Sequence, residues 1–247
     1  MANESRIARW AGLVYLVVVV TGFFSQGYVP GKIAAPGNPQ AMLANIVSHE
    51  MLFRAAIATF MVEQVAFLLL PFLLFRLLRS VHRGAAAAMV VLAVVGVPIS
   101  LLAVAHRLDA LLLLTHASGM PVDMAHALAR VSLKSYDADI LVASVFWGLW
   151  LLPFGFLVAK CGTLPRVFGV LLMLGGVGYL ADISGELLLP GYAHIAFFDY
   201  VHLPAALGEV GICLWLLLMG MRNGGRQQRA GASLLSPKEQ PPASSAT

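Results

Sequence analysis

Long apolar runs alternate with short polar breaks along almost the whole chain. The first run covers residues 11–28. A loop at residues 29–48 follows, marked by Pro30, Gly31, Pro36, Gly37 and Pro39, with a helical restart expected after Pro39. The second run, residues 52–78, holds Glu63, Gln64 and Pro71, the last expected to kink it, and ends at the basic group Arg76, Arg79, His82 and Arg83. The third is apolar over residues 85–105, until His106, Arg107 and Asp109 interrupt it. Residues 121–136 carry Met124, Leu128 and Val131 on one stripe, the spacing of an amphipathic helix outside the apolar core. Further runs cover residues 140–159, 167–189 and 203–221. A helix of about 20 residues crosses about 30 Å of hydrocarbon, so each of the six apolar runs is read as a membrane span.

The expected fold class is therefore all-α: a polytopic six-helix transmembrane bundle over residues 1–222. Residues 223–247, rich in Gly, Ser, Pro and Gln, are expected to form a disordered cytoplasmic tail, since such a segment cannot bury enough apolar surface to fold. The first run is long for a signal peptide and no clean cleavage site follows it, so it is expected to be retained. Composition agrees: 60% of residues are hydrophobic and 11% charged, against roughly 25% charged in soluble domains. The net charge of +4 is no nucleic-acid signature, because the basic residues cluster at the ends of the runs. With the N-terminus inside, eleven Lys and Arg residues fall on the cytoplasmic side and five outside, and the 190–202 connection has none. Both termini are thus expected in the cytoplasm, with the lipid bilayer as the certain partner. Cys161 and Cys213 have no metal-type spacing and no expected disulfide.

Residues 6–15 (RIARWAGLVY), 45–54 (NIVSHEMLFR), 164–169 (LPRVFG) and 178–182 (GYLAD) resemble the bacterial integral-membrane family catalogued as domain of unknown function 4386. The resemblance covers residues 6–222, though residues 85–139 match little of it. It implies a single six-helix domain in a bacterial inner membrane. It brings no catalytic residue, cofactor or metal with it.

Charge inside hydrocarbon costs about 2.5–3.5 kcal/mol on insertion scales, so such residues are candidates for function. Glu63 and Glu209 each lie thirteen residues from a basic end, at Arg76 and Arg222, or about 20 Å up the helix. Asp182 lies about 24 Å from Arg166, and Glu186 near the outer interface. Arg107, Asp109 and His106 belong to the same outer half. Gly175, Gly178, Asp182 and Glu186 share one helix face, where a small-residue stripe admits a close neighbour. His202 and Glu209 share another. A polar cavity is expected in the outer half, lined by the second, third, fifth and sixth spans, with Glu63, Arg107, Asp109, Asp182, Glu186, His202 and Glu209 as ligand- or ion-binding candidates. The competing reading pairs Arg107 with one of the acids as a structural lock and lets Glu186 reach the interface. A fainter signal is the repeat of Arg9-x-x-Gly12 at Arg166-x-x-Gly169, each opening a span.

Six of the seven histidines fall on the outer side, but no H-E-x-x-H spacing occurs, and no phosphate loop or nucleophile elbow is present. Trp147, Trp150, Tyr179, Tyr192 and Tyr200 read as packing or interface anchors. Three function classes follow. The first binds or moves an ion or small molecule. The second is a non-catalytic scaffold or sensor subunit. The third is a metal-dependent intramembrane hydrolase built on His106, Asp109, Asp182 and His202. The non-enzyme classes are preferred, with no cofactor; the ligand and the oligomeric state are left open.

Overall fold

A computed structural model describes residues 2–116, 119–189 and 201–220. The connection around Pro190, Gly191, Tyr192, His194 and Tyr200, and the tail from residue 221, lie outside the described residues. All regular structure within them is helical: α1 (Ala2–Gly22), a π-helical stretch (Phe23–Tyr28), α2 (Val29–Ile33), α3 (Pro39–Ser48), α4 (Glu50–Leu78), α5 (Arg83–Thr115), α6 (Val122–Lys160), α7 (Arg166–Leu188) and α8 (Leu203–Leu218). Among the described residues, five helical segments are long and apolar enough to cross a membrane: Glu4–Ile33, α4, α5, α6 and α7. The sixth expected span, residues 203–221, appears as the 16-residue α8, apolar but below that length.

The boundaries depart from the sequence reading in three places. The expected loop after residue 28 begins later, because the helix runs on through the π-helical stretch into α2. The wider π turn and the position of Pro30 in the first turn of α2 explain why that proline does not end it. The helix does restart after Pro39, where the Asn38 side chain accepts from the Ala41 N–H at 3.0 Å. The third span, expected over residues 85–105, continues as helix to Thr115, with Arg107 buried within the bundle and His106 meeting α6. The separate amphipathic helix and fourth span are one 39-residue helix, α6. No Gly or Pro lies between Val122 and Trp147 to break it, and it ends before Gly162, whose φ of +70° is the left-handed conformation that terminates helices. At about 58 Å, α6 is far longer than a bilayer core is thick.

Neighbouring helices pack in the cyclic order α1, α4, α5, α6, α7, α8 and back to α1, so six helices close a ring. A bilayer offers packed helices no hydrophobic gain over lipid, so close contact must come from small residues. Gly155 of α6 and Gly169 of α7 face each other so closely that a Cβ on either would come within 2.6 Å of the other's carbonyl oxygen. Gly148 and Gly176 repeat this contact seven residues along each helix. On its other face, α7 sets Gly175 against Ala205 and Gly178 against Val201, so the small-residue stripe packs on α8 and the turn leading into it. Gly12 of α1 lies against the Leu217 backbone of α8, which closes the ring.

The core divides into two clusters. One is built around Tyr15, Phe67, Leu70, Trp150, Phe154 and Ile212 toward the basic end of the bundle. The other is built around Val29, Leu43, Ile46, Phe53, Phe60 and Leu111 toward the opposite end, where α2 and α3 cap the ring.

Candidate functional site

The buried polar or charged side chains among the described residues are Ser25, Glu63, Gln64, Ser100 and Arg107. Each residue type has a reason to be there only if it meets a partner or a cavity, because an unpaired buried polar group is destabilising.

Glu63 and Gln64 come from the middle of α4, Glu209 from the middle of α8, and Tyr179 from α7. These four line one cavity of about 330 Å³ inside the ring. Its remaining wall includes Val18, Val19 and Gly22 of α1, Phe23 and Gln26 of the π-helical stretch, Phe67, Trp147, Trp150, Ala206 and Val210. Among the described residues, no Lys, Arg or His is in the lining. The π-helical stretch serves this site directly. It buries Ser25, whose hydroxyl donates to Glu63 Oε2 at 3.1 Å, and it presents Phe23 and Gln26 to the cavity. Such stretches often occur where a helix is shaped for a site. Glu209 lies within electrostatic reach of Tyr15 of α1. Gln64 is 1% exposed, yet its Oε1 has no hydrogen-bond partner. Trp150 stacks on Phe154 at 5.2 Å and meets Phe67 edge-on at 5.0 Å, so the aromatic wall is held rigidly. Phe23, Ala206 and Val210 line the cavity and are exposed, which places its opening between the π-helical stretch and α8, two of the apolar segments of the ring.

The other sequence candidates go elsewhere. Arg107 does not line this cavity and forms no ion pair within 4 Å among the described residues; neither Glu63 nor any other acid locks it. It lies within electrostatic reach of Glu63 and Asp137, while its guanidinium stacks on the Tyr136 ring at 3.8 Å, with Phe53 at 5.9 Å. A buried cation loses several kcal/mol of hydration, and a stacked aromatic returns about 0.5–2 kcal/mol of it. Arg107 opens into a second pocket of about 730 Å³ at the capped end of the bundle.

Asp109, 58% exposed, is 4.0 Å from His106, and His106 reaches Asp139 of α6 at 3.3 Å. Asp182 pairs with His202 at 3.0 Å, with the His202 ring over Tyr179 at 4.4 Å. Glu186 is exposed. The third span therefore contributes none of its candidates to the central cavity. Helices α1 and α6 contribute instead, because the polar face of α5 turns toward α6 and the capped end. Among the described residues no group of three or more His, Cys, Asp or Glu could hold a metal ion, so His106, Asp109, Asp182 and His202 do not assemble the hydrolase site considered above. Both cysteines are free thiols.

Sequence reasoning missed Ser25 and Asp139, and it placed Arg130, Lys134 and Tyr136 on a helix outside the membrane core without a role. The available signal was the four-residue spacing of Arg130 and Lys134, which puts two cations on one face of α6.

The ring of apolar helices defines an integral membrane protein. The chain belongs to the family described as Domain of unknown function (DUF4386), whose model matches residues 10–220. It is also similar to an uncharacterized protein of Archaeoglobus fulgidus, at 33% identity over 91 residues. That alignment covers 36% of this chain and 51% of the archaeal protein, so the chain spans about half the length of this relative. No solved structure matches.

Proposed function

We propose that the protein binds a small organic cation in the central cavity, within a bacterial inner membrane and with its basic end toward the cytoplasm. The single observation that carries the reading is the cavity lining, which among the described residues holds two carboxylates, five aromatic side chains and no basic group. Carboxylates supply charge to a cation, and aromatic faces attract one at about 0.5–2 kcal/mol each when water is excluded. A volume of about 330 Å³ lies at the lower end of the range for small-molecule sites. The unpartnered Gln64 Oε1 adds an acceptor, which suits an ammonium with N–H donors. An opening between apolar segments favours a cation with apolar substituents. The orientation rests on the eleven-to-five distribution of basic residues.

The test is titration of purified protein with tetraethylammonium and benzylammonium, followed by the fluorescence of Trp147 and Trp150 and by calorimetry. Saturable binding is expected, falling at least tenfold in Glu63→Gln combined with Glu209→Gln. The neutral analogue benzyl alcohol should bind far more weakly. No saturable binding, or binding indifferent to the double substitution, overturns the reading and leaves a scaffold. Uptake of the same cations into proteoliposomes then separates movement from binding alone.

A further inference from the structure

We infer that the pocket at the capped end of the bundle binds an amphiphilic anion, its carboxylate or phosphate head held by Arg107 and its chain lying on the apolar wall. This site is separate from the central cavity and the inference does not rest on the cation reading. The pocket, of about 730 Å³, lies between α2, α3 and the first turns of α6. Among the described residues its charged lining is Arg107, Arg130, Lys134 and Asp137, three cations against one acid. Much of the rest is apolar, including Ile33, Met42 and Val131.

Arg107 is 8% exposed, and among the described residues it has neither an ion pair nor a hydrogen bond. Its guanidinium carbon lies 3.8 Å from the centre of the Tyr136 ring, and its N–H groups, unpaired among the described residues, remain for a ligand. Those groups match the two oxygens of a carboxylate or phosphate, a fit that a lysine ammonium lacks. Tyr136 supplies a second, independent sign. It is 5% exposed and among the described residues its hydroxyl has no hydrogen-bond partner, so a buried donor stands beside the unpaired guanidinium. Arg130 and Lys134, one turn apart on α6, are more exposed and flank the head group on its solvent side. A membrane phospholipid and a free amphiphilic acid both satisfy this chemistry.

The experiment measures binding of dodecyl phosphate to the full chain in a non-ionic detergent, with dodecanol and inorganic phosphate as controls. Dodecyl phosphate is expected to bind at least tenfold more tightly than either control. Arg107→Gln should weaken it at least tenfold, and Arg130→Gln with Lys134→Gln a few-fold. If Arg107→Gln does not fold, Arg107→Lys serves, and the loss of the planar fork should still weaken binding. Competition by phosphatidate in nanodiscs identifies a lipid as the occupant, and its failure identifies a free amphiphile; both support the site. Equal binding of dodecanol, equal binding of inorganic phosphate, or affinity unchanged by the arginine substitutions overturns it.

Discussion

The packing of α6 against α7 makes a quantitative prediction that separates structure from function in one pair of variants. A Cβ at Gly155 would lie 2.5 Å from the Gly169 carbonyl oxygen, against the 3.4 Å at which ordinary contact begins, a shortfall of 0.9 Å against backbone. A Cβ at Gly148 would lie 2.7 Å from the Cβ of Tyr179, a shortfall of 0.7 Å. Neither obstacle is the flexible end of a side chain, so the helices must part. Overpacking of this kind costs about 1–3 kcal/mol, and each kcal/mol lowers the melting temperature of a chain this size by roughly 2–4 °C. Gly155→Ala and Gly148→Ala should therefore each lower it by about 2–12 °C in detergent. Gly31, in α2, has open space where its Cβ would be. Gly31→Ala should be neutral or raise stability by up to about 1 kcal/mol, since alanine favours helix over glycine. Function should divide the first two variants. Tyr179 lines the central cavity, so Gly148→Ala should also weaken tetraethylammonium binding, while folded Gly155→Ala should bind normally. Thermal melts followed by intrinsic fluorescence, with a binding titration below the transition, read both effects. If Gly155→Ala is as stable as Gly31→Ala, the close helix approach is wrong. If both glycine variants bind alike, the link between this contact and the cavity is wrong.

Two further outcomes are expected. Ser25→Ala removes the donor to Glu63 Oε2 and should cost about 1–3 kcal/mol, whereas the same change in a Glu63→Gln background should cost measurably less; additive denaturation free energies would show that the two side chains do not interact. Cys161, half-exposed between Lys160 and Arg166, should react with an impermeant maleimide only after cells are permeabilised, while Cys213, 1% exposed, stays unlabelled until the protein is denatured. Labelling of Cys161 on intact cells would place the basic end outside and reverse the proposed orientation.

The sequence alone determined that this is a helical membrane protein, because apolar runs of membrane length cannot be hidden in any other way. The starts and ends of α4 and α7 were also legible, since basic residues and loop-forming residues flank their apolar runs. Glu63 and Glu209 are equally far along the sequence from a basic residue, and both line one cavity. Only the tertiary structure decided which side chains meet. Helix periodicity assigns a residue to a face, but the order of helices around the ring decides what that face sees. Arg107 and the acids looked like members of one constellation because they share a depth. In the ring, α5 turns Arg107 toward Tyr136 and the capped end, while α1 and α6 fill the wall that α5 was expected to provide. The π-helical stretch and the continuity of α6 were equally hidden. A local change of hydrogen-bond register and the absence of a breaker leave almost no mark on hydropathy, yet the first brings Ser25 to Glu63 and the second carries Arg130 and Lys134 to Arg107. The reason is physical: hydropathy records how each segment partitions into lipid, whereas the sites depend on contacts between segments, which glycine-sized gaps and ring closure select.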